Sequence, residues 1–298
     1  MKLPCNCPYV ICPVYGNCEA CIQKNRATGD MAHCMEKRAV ELGAKLPVKT
    51  PPTYIENDFE EMSRKSAQLI AEVVQKKPDA LFSLAAGNTA IRTYELLQEM
   101  QDRGQVDFSK AWFVALDEWL DLEDESENCE NFMRKHFCNP LMIRENQIVF
   151  FNVHAGNLET ECKRVDQFIF DHKGIDCMLL GVGMNGHLGL NEPNRTFNSY
   201  SKVVELDNIT AQVGQKYFSQ SMKLTRGITL GIRHMYESGL VILQAGGIHK
   251  KEIIQKIYET APTEELPATV LKLLPHAVVV LDQDAAAGLQ PGIALNKP

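Results

Sequence analysis

The sequence lacks both a surplus of basic residues and any long apolar run. Its 298 residues carry a formal net charge of −7, with lysine and arginine scattered along the chain. Such a distribution gives no positive field to attract nucleic acid or an anionic membrane. No stretch approaches the roughly 20 consecutive apolar residues that cross a bilayer, and proline and cysteine interrupt the start, MKLPCNCPYVICP, where a signal peptide would be apolar. We therefore expect a cytoplasmic protein that binds neither nucleic acid nor membrane.

Repeats, heptads and low-complexity runs are missing as well. What the chain does have is a globular composition, because 45% of its residues are hydrophobic and can bury a large core. Length alone predicts one large domain or two smaller ones.

Cysteine is distributed unevenly, since six of the ten cysteines fall near the start: Cys5, Cys7, Cys12, Cys18, Cys21 and Cys34. In a reducing compartment so dense a cluster favours metal binding over disulfides. One zinc with spare thiols, two zincs sharing ligands, an iron–sulfur cluster and reduced cysteines without metal all stay open. We hypothesise a structural zinc site that serves stability or partner contact rather than catalysis.

Composition divides the chain into three segments. Residues 1–42 form the Cys-rich module, and residues 43–54, GAKLPVKTPPTY, carry three prolines that suit an extended linker. Residues 55–298 form the larger domain.

The larger domain alternates amphipathic helices with short apolar strands. Helices are predicted at residues 58–76, 89–100, 158–170 and 250–260. Strands are predicted at residues 80–87, 112–117, 177–183, 239–246 and 277–282. This alternation predicts an α/β fold with an open, mostly parallel, Rossmann-like sheet and helices on both faces. Ligands bind such sheets beyond the carboxyl ends of the strands.

Three polar clusters follow predicted strands. In the turn at residues 86–89, free N–H groups and the helix dipole would favour a phosphate, although this segment by itself fits an ordinary capped turn better. Asp117 and Glu118 cannot both be buried cheaply, so either one acts as a base in a cleft or the pair lies in a solvated turn. The loop GVGMNGHLGLNEP brings His187 and Glu192 together as a candidate proton-shuttling pair, and its glycines make a purely structural histidine the weaker alternative.

That loop resembles the signature of the glucosamine-6-phosphate deaminase family, and FVALDEWLDL is similar to the family's acidic motif at a strand end. Five further segments complete the family's order: LAAGNTAIRTYELL, NFMRKHF, VGQKYF, AGGIHK and LKLLPHAVVVLD. The resemblance covers roughly residues 52–285. Its Asn-Glu-Pro element distinguishes the deaminases from the related 6-phosphogluconolactonases.

The resemblance implies a role for each matching residue. Asp117 would move a proton between C2 and C1 of the open-chain sugar, His187 would open the ring, and Glu192 would hold and tune His187. Contacts to the substrate, and above all to its 6-phosphate, are implied at Ala86, Gly87, Asn88, Thr89, Glu118, Gly186, Lys216 and Lys250. The amine leaves as ammonia, so catalysis needs no metal or organic cofactor, and the expected partner is a small sugar phosphate. A homo-oligomer stays open.

Three positions depart from the glucosamine enzymes. Asn185 replaces an Asp, which removes a carboxylate that could stabilise an imidazolium and makes Asn185 a further candidate catalytic residue. Asn88 replaces a Gly, and Lys216 replaces an Arg, so a point charge stands where a bidentate fork is usual. Asn185, Leu190 and the QKYF run that contains Lys216 resemble the galactosamine-6-phosphate branch. The 4-hydroxyl epimer is therefore a candidate substrate.

Two other functions fit parts of the pattern. A lactonase or another hydrolase on the same fold would use the His187 region to activate water, but Asp117 and the Asn-Glu-Pro run argue against it. A non-catalytic sugar-phosphate sensor would use the Cys-rich module for docking, but the chain has no helix-turn-helix pattern or basic face.

Overall fold

The computed structural model describes residues 20–21 and 48–290. Of the six predicted thiolate ligands only Cys21 lies within these ranges, so the zinc hypothesis stays a prediction. Within the described ranges, no cluster of three or more His, Cys, Asp or Glu side chains could hold a metal ion. No helix in this part of the chain is both long enough and apolar enough to cross a membrane.

A seven-stranded sheet forms the centre of the fold, and all its neighbouring strands run parallel. Its strands are, in spatial order, β1 (Thr53–Glu56), β10 (Ala277–Asp282), β9 (Leu240–Ala245), β6 (Cys177–Leu180), β2 (Leu81–Leu84), β3 (Trp112–Ala115) and β5 (Ile148–Val149). The central strands are buried along their whole length because they are apolar on both faces. The predicted α/β fold with a mostly parallel sheet is confirmed.

Helices cover both faces of this sheet. Alternate residues of each strand point to opposite faces and therefore pack in different cores. In β6, Met178 and Leu180 pack on one face, whereas Cys177 and Leu179 pack on the other. The helices, in chain order, are α1 (Phe59–Lys76), α2 (Asn88–Asp102), α3 (Cys129–Met133), α4 (Leu158–Asp171), α5 (Asn208–Gly214), α6 (Ile232–Glu237), α7 (Lys251–Glu259) and α8 (Gln283–Ala286).

A second, three-stranded antiparallel sheet changes one prediction. It contains β4 (Asp117–Leu120), β8 (Arg226–Thr229) and β7 (Lys202–Glu205), in the order β4-β8-β7. The run WFVALD was predicted as one strand, but the parallel strand stops at Ala115 and Asp117 already pairs with Thr229. The chain therefore changes sheets immediately before its candidate base.

The predicted linker also extends too far. Thr53 is 1% exposed and pairs with Val279 in the central sheet, and Val279 donates a backbone hydrogen bond to Pro52. The larger domain therefore includes residues 53 and 54, which were assigned to the linker.

Candidate active site

A cleft opens beyond the carboxyl ends of β2, β3, β6 and β9, the position that a parallel sheet favours for ligands. Its lining includes most of the predicted site residues: Ala86, Gly87, Thr89, Asp117, His187, Lys216 and Lys250. Sequence positions more than 160 apart thus meet in one cavity.

The turn after β2 presents open backbone N–H groups to the cleft. Gly87 is the N-cap of α2 and has no side chain to cap it, so the first turn of this 15-residue helix keeps donors available for an anion. Thr89 lines the cleft, and its backbone carbonyl accepts a hydrogen bond from Gln244. Asn88 instead lines two pockets beside the cleft.

Two lysines add positive charge to the same wall. Lys250 is 7% exposed and donates to the backbone carbonyl of Val182 at 2.7 Å. Burial, followed by the charge of Lys216, lowers the pKa of Lys250 to about 8. Burial also lowers the pKa of Lys216. Two desolvated, mutually repelling cations would both gain from an anion in the cleft.

Asp117 lies at the first position of β4, where its carboxyl remains open to the cleft but is largely surrounded by protein. Burial, followed by the negative charge of Glu118, raises the pKa of Asp117 to about 7, while a hydrogen bond from Cys129 opposes this rise. A carboxylate that titrates near neutral pH is a suitable general base.

Glu118 lies outside the cleft, and its predicted substrate contact finds no support in the geometry. The side chain is 3% exposed, and its oxygens accept hydrogen bonds from the backbone N–H groups of Trp119, Cys129 and Glu130 at 2.8–2.9 Å. These contacts fasten the start of α3 to β4. Burial raises the pKa of Glu118 to about 7 against the lowering effect of the same donors.

The histidine and the glutamate predicted as a pair are close but not in direct hydrogen-bond contact. The Nδ1 atom of His187 is 3.7 Å from the Oε2 atom of Glu192. The Thr210 hydroxyl lies between them, 2.9 Å from His187 Nδ1 and 3.0 Å from Glu192 Oε2. Sequence reasoning missed Thr210, because a threonine in the short helix NITAQVG carries no signal of its own.

Asn185 contacts the glutamate rather than the imidazole. Its Nδ2 donates to Glu192 Oε2 at 2.9 Å, and its Oδ1 accepts from the backbone N–H of His187 at 3.2 Å. Burial alone would raise the pKa of Glu192, but the nearby His187 and the hydrogen bonds from Thr210 and Asn185 together lower it below its ordinary value.

Two glycines of the loop after β6 are required for different structural reasons. Gly186 has a φ of +83°, and a Cβ there would lie 2.3 Å from Leu266 Cδ1, so this residue shapes the loop and does not line the cleft, in contrast to its predicted substrate contact. Gly183 leaves space for the His187 ring, since a Cβ at this position would lie 2.4–2.6 Å from three atoms of the ring.

Gly183→Ala should therefore displace the imidazole. We expect turnover to fall by about 100-fold, because a shift of about 1 Å in a reacting group has that effect. Steady-state kinetics on the candidate amino-sugar phosphates would measure it. Gly156→Ala is the control, since nothing lies within 4 Å of a Cβ at that position. Unchanged kinetics in Gly183→Ala would show that the ring does not need this space.

Comparison with known proteins identifies the family. The sequence model of the glucosamine-6-phosphate isomerases and 6-phosphogluconolactonases matches residues 56–279. The chain belongs to this family. The glucosamine-6-phosphate deaminase of Bacillus pumilus (strain SAFR-032) is 37% identical over 232 residues, which cover 77% of this chain and 96% of that protein. The glucosamine-6-phosphate deaminase of Clostridium botulinum (strain Hall) is 35% identical over 235 residues, with 78% and 96% covered.

Solved members of the glucosamine-6-phosphate isomerase/6-phosphogluconolactonase family share the fold. A monomeric glucosamine-6-phosphate deaminase superposes with a TM-score of 0.75 at 30% identity, covering 80% of this chain and 99% of that one. The 6-phosphogluconolactonase of Leishmania guyanensis gives a TM-score of 0.62 at 18% identity, covering 81% and 99%, which shows the fold alone. The family resemblance of the sequence motifs is confirmed.

Proposed function

We propose that this protein deaminates and isomerises a hexosamine 6-phosphate, releasing ammonia and a ketose 6-phosphate. The observation that carries the proposal is the joint placement of Asp117, His187 and two lysines around one cleft. Glucosamine-6-phosphate deaminases at 35–37% identity over most of the chain support the same reaction.

The reaction needs a base near adjacent carbons, and Asp117 is the group suited to that task. After the ring has opened, its carboxylate, with a pKa of about 7, can take the C2 proton, which leaves an enolamine. Return of that proton to C1 gives a ketimine, which water hydrolyses to the ketose and ammonia. His187, on the loop after β6, would move the proton at the ring oxygen.

The 6-phosphate would bind at the opposite end of the sugar. The N-terminus of α2 offers backbone donors, and Lys216 and Lys250 offer charge. Because burial lowers the pKa of both lysines, a dianionic phosphate would stabilise their protonated forms and bind tightly in return.

A coupled assay for ammonia and ketose phosphate tests the proposal. Glucosamine 6-phosphate and galactosamine 6-phosphate are assayed side by side on the full chain, and turnover of at least one is expected. Turnover of neither would overturn the proposed reaction. Release of acid from 6-phosphogluconolactone, without deamination, would favour the lactonase alternative instead.

We further propose the galacto epimer as the preferred substrate, on the strength of Asn185, Leu190 and the QKYF run that contains Lys216. Asn185 supports this only indirectly, because its amide contacts Glu192 rather than the cleft-facing side of His187. Cytoplasmic location and a structural zinc site in the Cys-rich module remain further proposals, as does self-association.

A further inference from the structure

We propose that Thr210 is a positioning residue that connects His187 to Glu192 and determines which nitrogen of the imidazole carries the proton. The inference deepens the proposed function, on which its catalytic part rests. It assigns a role to a hydroxyl that none of the sequence motifs includes.

The distances exclude direct contact and favour the hydroxyl as the link. His187 Nδ1 and Glu192 Oε2 are 3.7 Å apart, which is beyond a normal hydrogen bond, whereas Thr210 Oγ1 is within 3.0 Å of both atoms. Thr210 and Glu192 are each 3% exposed. Bulk water therefore does not compete for the contacts that join them.

The Asn185 amide has one orientation, which its hydrogen bonds determine. The backbone N–H of His187 donates to Asn185 Oδ1 at 3.2 Å, which places the Nδ2 donor on the other side of the amide. That Nδ2 is 2.9 Å from Glu192 Oε2 and 3.2 Å from Thr210 Oγ1. Asn185 thus donates to both neighbours and accepts from neither.

Counting hydrogen atoms then fixes the direction of each bond. The hydrogen bonds that lower the pKa of Glu192 keep its carboxylate ionised at neutral pH, so it only accepts. The single hydrogen of the Thr210 hydroxyl goes to Glu192, since two oxygen lone pairs facing each other at 3.0 Å would repel. The remaining lone pairs of Thr210 accept from Asn185 and from His187 Nδ1.

Neutral His187 therefore carries its hydrogen on Nδ1 and keeps a free lone pair on Nε2. His187 lines the cleft with 19% of its side chain exposed, so Nε2 is the nitrogen available to take a proton from the substrate. Without the hydroxyl, the other tautomer would become accessible and would present a donor where the reaction requires an acceptor.

The N-terminal cap of α5 determines the position of Thr210. The Asp207 side chain accepts the backbone N–H of Ile209, which starts the helix and turns the Thr210 side chain inward, where it is buried. Its neighbour Ile209 remains 46% exposed. The capped start of α5 therefore holds the Thr210 hydroxyl in place.

Nitrogen-15 NMR of the imidazole tests the tautomer without any substrate. We expect the Nδ1–H form for wild-type His187, identified by the signal that disappears in His187→Asn. Thr210→Ser should keep that form, whereas Thr210→Val should lose it. Thr210→Val should also reduce kcat by about 100-fold with little change in KM, because the residues proposed to bind the phosphate are unchanged. Thr269→Val, which removes another fully buried hydroxyl, is the control for stability loss alone.

Two results would overturn the inference: an Nε2–H tautomer in the wild type, or a Thr210→Val spectrum and kcat equal to those of the wild type. Should Thr210→Val fail to fold, Thr210→Ala and Thr210→Ser carry the same comparison. If the protein turned over neither amino-sugar phosphate, the proposed function would fail, while the NMR result would still decide the role of Thr210.

Discussion

Asp117→Asn should reduce turnover by about 1,000-fold, because the amide cannot accept the C2 proton and general bases contribute about 10²–10⁴-fold. Binding of phosphate-bearing ligands should persist, since neither the α2 turn nor the two lysines change. The coupled ammonia assay measures the first effect, and calorimetric titration with a sugar phosphate measures the second. Asp121→Asn is the matched control, because Asp121 follows β4 on the same segment but its exposed carboxylate pairs with Arg226. Turnover above about a tenth of the wild-type value would assign the proton transfer to another group.

The same carboxyl makes a pH dependence predictable. Only the ionised form is a base, so kcat/KM in the wild type should decline as the pH falls below about 7, the pKa of Asp117 in the free enzyme. Stability should change in the opposite direction. The folded-state pKa of about 7 lies above the ordinary value of 3.8, so the folded protein holds an extra proton between these values and loses stability as the pH rises through them. Asp117→Asn should remove this loss. The Tm of the variant should therefore rise relative to that of the wild type as the pH increases from about 5 to about 8.

The second large effect is expected at Glu118. Glu118→Ala should lower the free energy of unfolding by about 3 kcal/mol, because the backbone N–H groups of Trp119, Cys129 and Glu130 lose their acceptor and each unsatisfied donor costs about 1–3 kcal/mol. Denaturant unfolding at constant pH measures this change. Turnover should fall as well, since the start of α3 supports the Cys129 side of the cleft.

Glu123→Ala provides the control for Glu118, because Glu123 is an exposed glutamate of the same segment. It should change stability by no more than about 0.5 kcal/mol. Equal stability of the Glu118 and Glu123 variants would contradict a structural role for the buried carboxylate and would reopen its predicted contact with substrate.

The sequence predicted the five inner strands of the central sheet but neither of its edge strands, β1 and β5. Segments such as LVILQA and AVVVLD are apolar on both faces, which few structures other than a covered parallel strand require. The small antiparallel sheet was missed because KVVE and RGIT are short and mix charged with apolar residues. RGIT pairs with β4 on one side and with KVVE on the other, and such long-range pairing leaves no local periodicity.

The candidate site was predictable to the extent that its residues follow strands. Asp117, His187 and Lys250 were expected together and line one cleft. The wrong contact at Glu118 and the missed residue Thr210 have a common cause: residue type indicates what a side chain can do but not which way it points. Glu118 is adjacent to the base yet turns to backbone donors in the opposite direction, and Thr210 acts through neighbours that are 18 to 25 residues away along the chain.

The change of sheet before Asp117 has a mechanical consequence. The base belongs to the small sheet and Lys216 lies between two of its strands along the chain, whereas the α2 turn, His187 and Lys250 extend from strands of the large sheet. A sugar phosphate that spans the cleft would therefore act as a non-covalent cross-link between two layers of the fold. Substrate binding would then make the active site more rigid, since each end of the molecule contacts residues of both layers.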